Sequence, residues 1–129
     1  MGKIDRFEDL EVWQLAREVC LDINRLIDTS QLATDYALRN QINRSSGSVM
    51  DNIAEGFERD GSKEFKQYLS ISKGSCGEVR SQLYRCLDRN YLSQDEFSKI
   101  SNKTVVLSKK LGSFISYLKN TNFKGVKFK

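Results

Sequence analysis

The sequence predicts an all-α protein, an antiparallel up-down-up-down four-helix bundle, on three observations. Apolar residues recur at spacings of 3 and 4 through four long segments, proline is absent, and no stretch alternates apolar and polar residues as a half-buried strand does. Short polar breaks separate the segments, and short connections make consecutive helices antiparallel neighbours. The bundle is expected over residues 1–119 as a single domain, followed by a basic tail over 120–129.

The first segment runs from about Asp9 to Asp28. Trp13, Ala16, Cys20, Ile23 and Ile27 form one apolar row, and Val12, Leu15, Val19 and Leu26 form a second. Two rows imply burial against more than one neighbour, and the second is expected to be available to copies of the same chain. The second segment, about Tyr36 to Phe57, carries Leu38, Ile42, Val49, Ile53 and Phe57, with Ser45 and Ser46 in the gap of the stripe. Gly56 and Gly61 flank a polar break that suits a helix end and a turn. The third segment starts at Ser62, a fitting N-cap, and continues to about Asn90 through Phe65, Leu69, Ser72, Cys76, Val79, Leu83 and Cys86. The fourth opens on Ser93-Gln94-Asp95-Glu96, the pattern of a capping box. Phe97, Ile100, Thr104, Leu107, Leu111, Phe114 and Leu118 then keep the helical rhythm.

Composition bounds the function. The chain has 129 residues, 39% hydrophobic and 29% charged, enough for one modest core and unlike a disordered chain. No apolar run is long enough to span a membrane, and the N-terminal stretch lacks the apolar core of a signal peptide, so a cytoplasmic location is expected. Three cysteines, Cys20, Cys76 and Cys86, make a poor disulfide framework, and with no histidine they fall short of a zinc site. They are expected to be reduced core residues. The net charge of +4 hides a gradient: residues 1–35 carry 4 basic and 8 acidic groups, whereas residues 93–129 carry 8 basic and 2 acidic. Such asymmetry points to an anionic partner for the C-terminal half, or to an exposed lysine face.

The stretch from Asn43 to Phe65 has the most unusual composition. Its "GFERDGSK", Gly56 to Lys63, echoes a phosphate loop, but Ser62 precedes Lys63 and a helix, not a strand, leads into it. Nucleotide binding there is not expected. Gly47, Gly74 and Gly77 instead fall inside helical segments, where each glycine costs about 1 kcal/mol relative to alanine. In the third segment Ser70, Gly74, Gly77 and Ser81 repeat at 4, 3 and 4. Small residues in register let helix backbones approach and gain dispersion contacts, so a close helix–helix contact is expected here, within one chain or between chains. Arg44, Ser48, Asn52 or Asp51, and Glu55 on the second segment, with Glu78 and Gln82 on the third, read as a polar network or salt bridge that fixes register. A catalytic pairing of Glu55 with Glu78 would need supporting groups the sequence does not supply.

"FEDLEVWQLARE", "LRNQINRSSGSVMDNIAEGFER", "KEFKQYLSISKGSCGEV" and "SQLY" together resemble the four-helix-bundle proteins encoded by intervening sequences in bacterial large-subunit rRNA genes, a family that carries a ribosomal-protein label. The match runs from about Phe7 to Leu118; one departure is Met50, where the family commonly has proline. The resemblance implies a homo-oligomeric ring, typically a pentamer, with no enzymatic activity and no cofactor. It also implies kinship with the accessory proteins of diversity-generating retroelements, bundles that bind nucleic acid. Carried over by position, the signature residues are Asn52, Glu55, Gly56, Gly74, Ser75 and Glu78, read as architecture together with Gly77.

Two functions are therefore expected ahead of an enzyme. The first is a self-assembling module. The second is a nucleic-acid-binding accessory protein, whose candidate phosphate contacts are Lys66, Lys73 and Arg80 on the third segment, Lys99, Lys103 and Lys110 on the fourth, and Lys124, Lys127 and Lys129 in the tail. No small-molecule substrate suggests itself, and no histidine or activated nucleophile is available for catalysis.

Overall fold

The computed structural model describes residues 4–121, which form four long helices and no strand. They are α1 (Glu11–Thr29), α2 (Tyr36–Glu58), α3 (Ser62–Asp88) and α4 (Gln94–Lys119). Single 3-10 turns at Phe7–Asp9 and Gln31–Thr34 lead into α1 and α2. Each helix packs on two neighbours in the cyclic order α1–α2–α3–α4, and short connections join consecutive helices. The result is the expected up-down-up-down four-helix bundle.

The core follows the 3–4 spacing. Ala16, Val19 and Ile23 from α1, Ile42 and Ile53 from α2, Leu69 and Leu83 from α3, and Leu107 and Leu111 from α4 are buried side by side. Near the α2–α3 turn, edge-to-face rings extend the core: Phe57 on Phe65 at 6.0 Å and Phe65 on Phe114 at 5.2 Å. The second apolar row of α1 corrects an expectation. Val12, Val19 and Leu26 are buried inside the chain's own core, and only Leu15 is half-buried. Flanked by both α2 and α4, α1 needs a broad apolar face within one chain.

The helix ends show how local chemistry sets boundaries. Ser93 accepts from the Glu96 amide and the Glu96 carboxylate accepts from the Ser93 amide, so the capping box is complete. The third helix begins differently from expectation: Gly61 is its N-cap at φ +95°, a left-handed conformation glycine adopts freely, and Ser62 is already helical. Gly56 and Gly61 flank the break as expected: α2 ends at Glu58, within two residues of Gly56, which is itself buried in the last turn. At the far end of α3, Asn90 takes φ +61°, the Tyr91 amide bonds the Cys86 carbonyl and the Asn90 amide bonds the Leu87 carbonyl. That is a Schellman stop with asparagine in the glycine role.

Candidate functional site

The α2–α3 seam gathers most of the residues singled out above. Gln41, Ser45, Ser48 and Asn52, spaced 4, 3 and 4, line one side of α2. Across the seam the Arg85 guanidinium donates to Gln41 Oε1 at 2.7 Å and Ser45 Oγ donates to Gln82 Oε1. The Ser48 and Ser75 hydroxyls meet at 2.9 Å, and Asn52 Nδ2 donates to the Ser48 carbonyl at 2.8 Å and hydroxyl at 2.9 Å. Ser72 Oγ donates to the Val49 carbonyl at 2.7 Å. Serine is small enough to let the helices close to hydrogen-bonding distance of a backbone carbonyl, and every polar side chain in this row is satisfied as burial demands.

Among the described glycines, Gly56 has the tightest surroundings. A Cβ there would lie 2.5 Å from Tyr68 Cβ and 2.9 Å from Phe65 Cδ1. Gly47, Gly74 and Gly77 behave otherwise: a Cβ at any of them would meet nothing within 4 Å. The small row Ser70, Gly74, Gly77 and Ser81 therefore faces away from the bundle, and the part of the expectation that placed it at a helix contact within one chain is corrected. Serines at positions 45, 48, 72 and 75, together with Gly56, make the intrachain seam.

Glu55 and Glu78 are not brought together. Glu55 accepts from Arg59 Nη2 at 2.9 Å and from the Tyr68 hydroxyl at 3.0 Å, and the Arg59 guanidinium lies over the Tyr68 ring at 5.3 Å. The bond from Arg59, and next that from Tyr68, hold the Glu55 carboxyl below the usual glutamate range, while the bond to Glu55 raises the Tyr68 hydroxyl above its own. Glu78 lies about ten residues along α3 from Tyr68, in a polar groove of about 450 Å³ with Arg44, Gln82 and Arg85. Among the described residues no group of three His, Cys, Asp or Glu side chains could hold a metal ion. Burial pushes the Cys76 and Cys86 thiols up to about 11, and the Cys20 thiol is also raised, chiefly by burial. Protonated thiols are poor nucleophiles at neutral pH.

The basic candidates divide into two groups. Lys103 Nζ bonds Asp22 at 2.8 Å and pairs with Glu18 at 3.5 Å, and Lys110 pairs with Glu11 at 3.2 Å. An acidic row on α1 thus neutralises much of the α4 lysine row, a pairing visible in sequence only as two separate charge stripes. Lys99 is exposed at the start of α4. Lys66, Lys73 and Arg80 lie along one flank of α3, with Lys73 over α4: a Cβ at Gly112 would sit 3.5 Å from Lys73 Cε. None of these three takes part in an ion pair among the described residues. Lys124, Lys127 and Lys129 lie outside the described residues. No described helix is long and apolar enough to cross a membrane.

The 23S rRNA-intervening sequence protein family model matches residues 8–113. The chain belongs to that family. A crystal structure of a protein of unknown function from the S23 ribosomal protein family of Bacteroides thetaiotaomicron VPI-5482 shares the fold with a TM-score of 0.73 at 23% identity, over 81% of this chain and 95% of that one. No curated protein matches. The family match covers α1, α2, α3 with their seam and most of α4 in this intervening-sequence protein, and it overlaps the residues that carry the sequence resemblance.

Proposed function

We propose that this 23S rRNA-intervening sequence family member is a non-enzymatic helical module that assembles with copies of itself into a ring through the outer face of α3. The observation that carries the reading is the Ser70, Gly74, Gly77, Ser81 row, which none of the described residues covers at its glycines. Two outward glycines in mid-helix cost about 2 kcal/mol with no return inside the monomer, whereas a second helix laid on them gains close backbone packing. Ile71 and Tyr84, each 53% exposed, border the row and would be buried by the same contact. Five copies is the subunit number the family resemblance implies.

Light scattering tests it. The protein should exceed monomer mass at micromolar concentration, and Gly74→Leu with Gly77→Leu should return it to monomer while circular dichroism stays helical. A monomeric wild type, or an unchanged mass in the double variant, overturns the proposal.

A second reading, contact with RNA or DNA phosphates as in an accessory protein, is favoured by Lys66, Lys73 and Arg80, which have no carboxylate partner among the described residues where Lys103 and Lys110 have one. A ring would multiply such a patch through avidity. Binding should weaken with salt, and replacing the three by glutamine should flatten the dependence of log K on log salt by up to about 3 units per chain on duplex DNA. No binding at about 50 mM salt sinks this reading.

A further inference from the structure

The groove over the α2–α3 seam, about 450 Å³, is lined by polar side chains alone. Ser45 is buried and Ser48 half-buried, so the small hydroxyls lie deepest, while Gln41 and Arg44 of α2 and Glu78 and Arg85 of α3 are exposed around them. Two guanidinium groups and a carboxylate therefore share one groove, yet among the described residues none of the three takes part in an ion pair. Elsewhere on the surface such neighbours do pair, as Arg59 with Glu55 and Arg89 with Asp35. We propose that this groove binds a phosphate monoester of a hydroxylated sugar, with the phosphate held by Arg44 and Arg85 and a sugar hydroxyl donating to Glu78.

Three features select that chemistry. The first is charge. Two guanidinium groups against one carboxylate leave the groove positive, and a phosphate monoester approaches two negative charges above its second pKa of about 6. The planar fork of arginine matches phosphate oxygens better than a point charge does. The second is preorganisation. Gln41 Oε1 accepts from Arg85 Nη1 at 2.7 Å, which steadies the guanidinium. The other side-chain nitrogens of Arg85 and the Gln41 amide nitrogen have no hydrogen-bond partner among the described residues, so they remain as donors for a ligand. The third is Glu78. A carboxylate repels a bare anion, so it favours a ligand whose hydroxyls reach it while the phosphate reaches the arginines. The wholly polar lining points the same way: a partner protein or a nucleobase would find no apolar or aromatic wall here. Glu78 and Arg85 lie four residues beyond Gly74 and Ser81, so the groove borders the small-residue row of α3, but the inference rests on the groove's own side chains and not on assembly.

Isothermal titration calorimetry of the full chain in low-salt buffer tests the idea, with ribose 5-phosphate, inorganic phosphate and ribose as probes. Ribose 5-phosphate should bind, inorganic phosphate should bind about tenfold more weakly, and ribose should not bind. Arg44→Gln or Arg85→Gln should weaken ribose 5-phosphate by about tenfold or more. Glu78→Ala should abolish the preference for the sugar phosphate and leave inorganic phosphate binding no weaker. Lys99→Gln, which removes an exposed cation outside the groove, should change nothing. All four side chains are exposed, so the variants should keep their helices in circular dichroism, and light scattering of the same samples reads assembly separately. A short RNA phosphorylated at its 5′ end separates the two sources of such an ester: binding tighter than that of ribose 5-phosphate assigns the end of an RNA, and weaker binding assigns the free sugar phosphate. No binding of ribose 5-phosphate at millimolar concentration would overturn the proposal, as would an equal loss in Lys99→Gln, since the attraction would then be that of any anion to a basic surface.

Discussion

An alanine methyl at position 56 would sit 2.5 Å from Tyr68 Cβ, while one at position 47 on the same helix would meet nothing within 4 Å. Gly56 is required by close approach; Gly47 carries only the conformational cost of glycine in a helix. Gly56→Ala should therefore destabilise the protein by about 1–3 kcal/mol through overpacking. Gly47→Ala should stabilise it by up to about 1 kcal/mol. Urea unfolding of the two variants checks both signs, and equal midpoints would remove the distinction. The sequence reads Gly47 as a costly mid-helix glycine and Gly56 as one that suits a helix end, but cannot say which is crowded, because helical spacing places a residue on a face without saying what lies opposite. Ser72 gave a clearer signal: a hydroxyl in the middle of an apolar stripe needs a partner, and it has one in the Val49 carbonyl.

At the scale of elements, the ends of α4 and α3 differ in how far local rules reach. Ser93 and Glu96 satisfy each other's amides within one turn, so the start of α4 could be read directly from the S-x-x-E pattern. Ser93→Ala should lower stability by about 1 kcal/mol, seen as a reduced urea midpoint at unchanged slope. A midpoint equal to wild type would show that the cap is replaced by solvent at no cost. At the start of α3 the same kind of reasoning places the cap at Ser62, whereas Gly61 occupies it at φ +95°. The turn from α2 into α3 spans three residues, Arg59 to Gly61, and the left-handed bend it needs outranks serine's capping preference.

Across the whole molecule, charges far apart in sequence meet. Asp35 caps α2 through the Leu38 amide and also accepts from Tyr91 and Arg89 beyond the end of α3. Those bonds, Tyr91 first and Arg89 next, hold the Asp35 carboxyl below the usual aspartate range. The unfolded chain then binds this proton more readily than the folded one, so the stabilisation is full above the ordinary aspartate pKa of about 3.9 and is lost as pH falls through the lower folded value. Denaturant midpoints measured from about pH 6 down to about pH 2 should fall less steeply in Asp35→Asn than in wild type below about pH 4. Identical pH profiles would show that Asp35 titrates alike in both states. The acidic N-terminal and basic C-terminal halves are likewise joined, with Glu11, Glu18 and Asp22 of α1 against Lys103 and Lys110 of α4. What reads in one dimension as a free basic face is partly an internal pairing, while Lys66, Lys73 and Arg80 of α3 and Lys99 of α4 have no ion pair among the described residues.

By itself the sequence determined the helices, their number, most of their ends and the bundle class, because periodicity and capping act over one or two turns and need no partner to be legible. Only the tertiary structure decided which small residues form the seam and which face outward, that α1 spends both apolar rows on its own core, and which lysines already have carboxylates. Those outcomes depend on what stands across from each side chain, and that opposite neighbour comes from a helix tens of residues away.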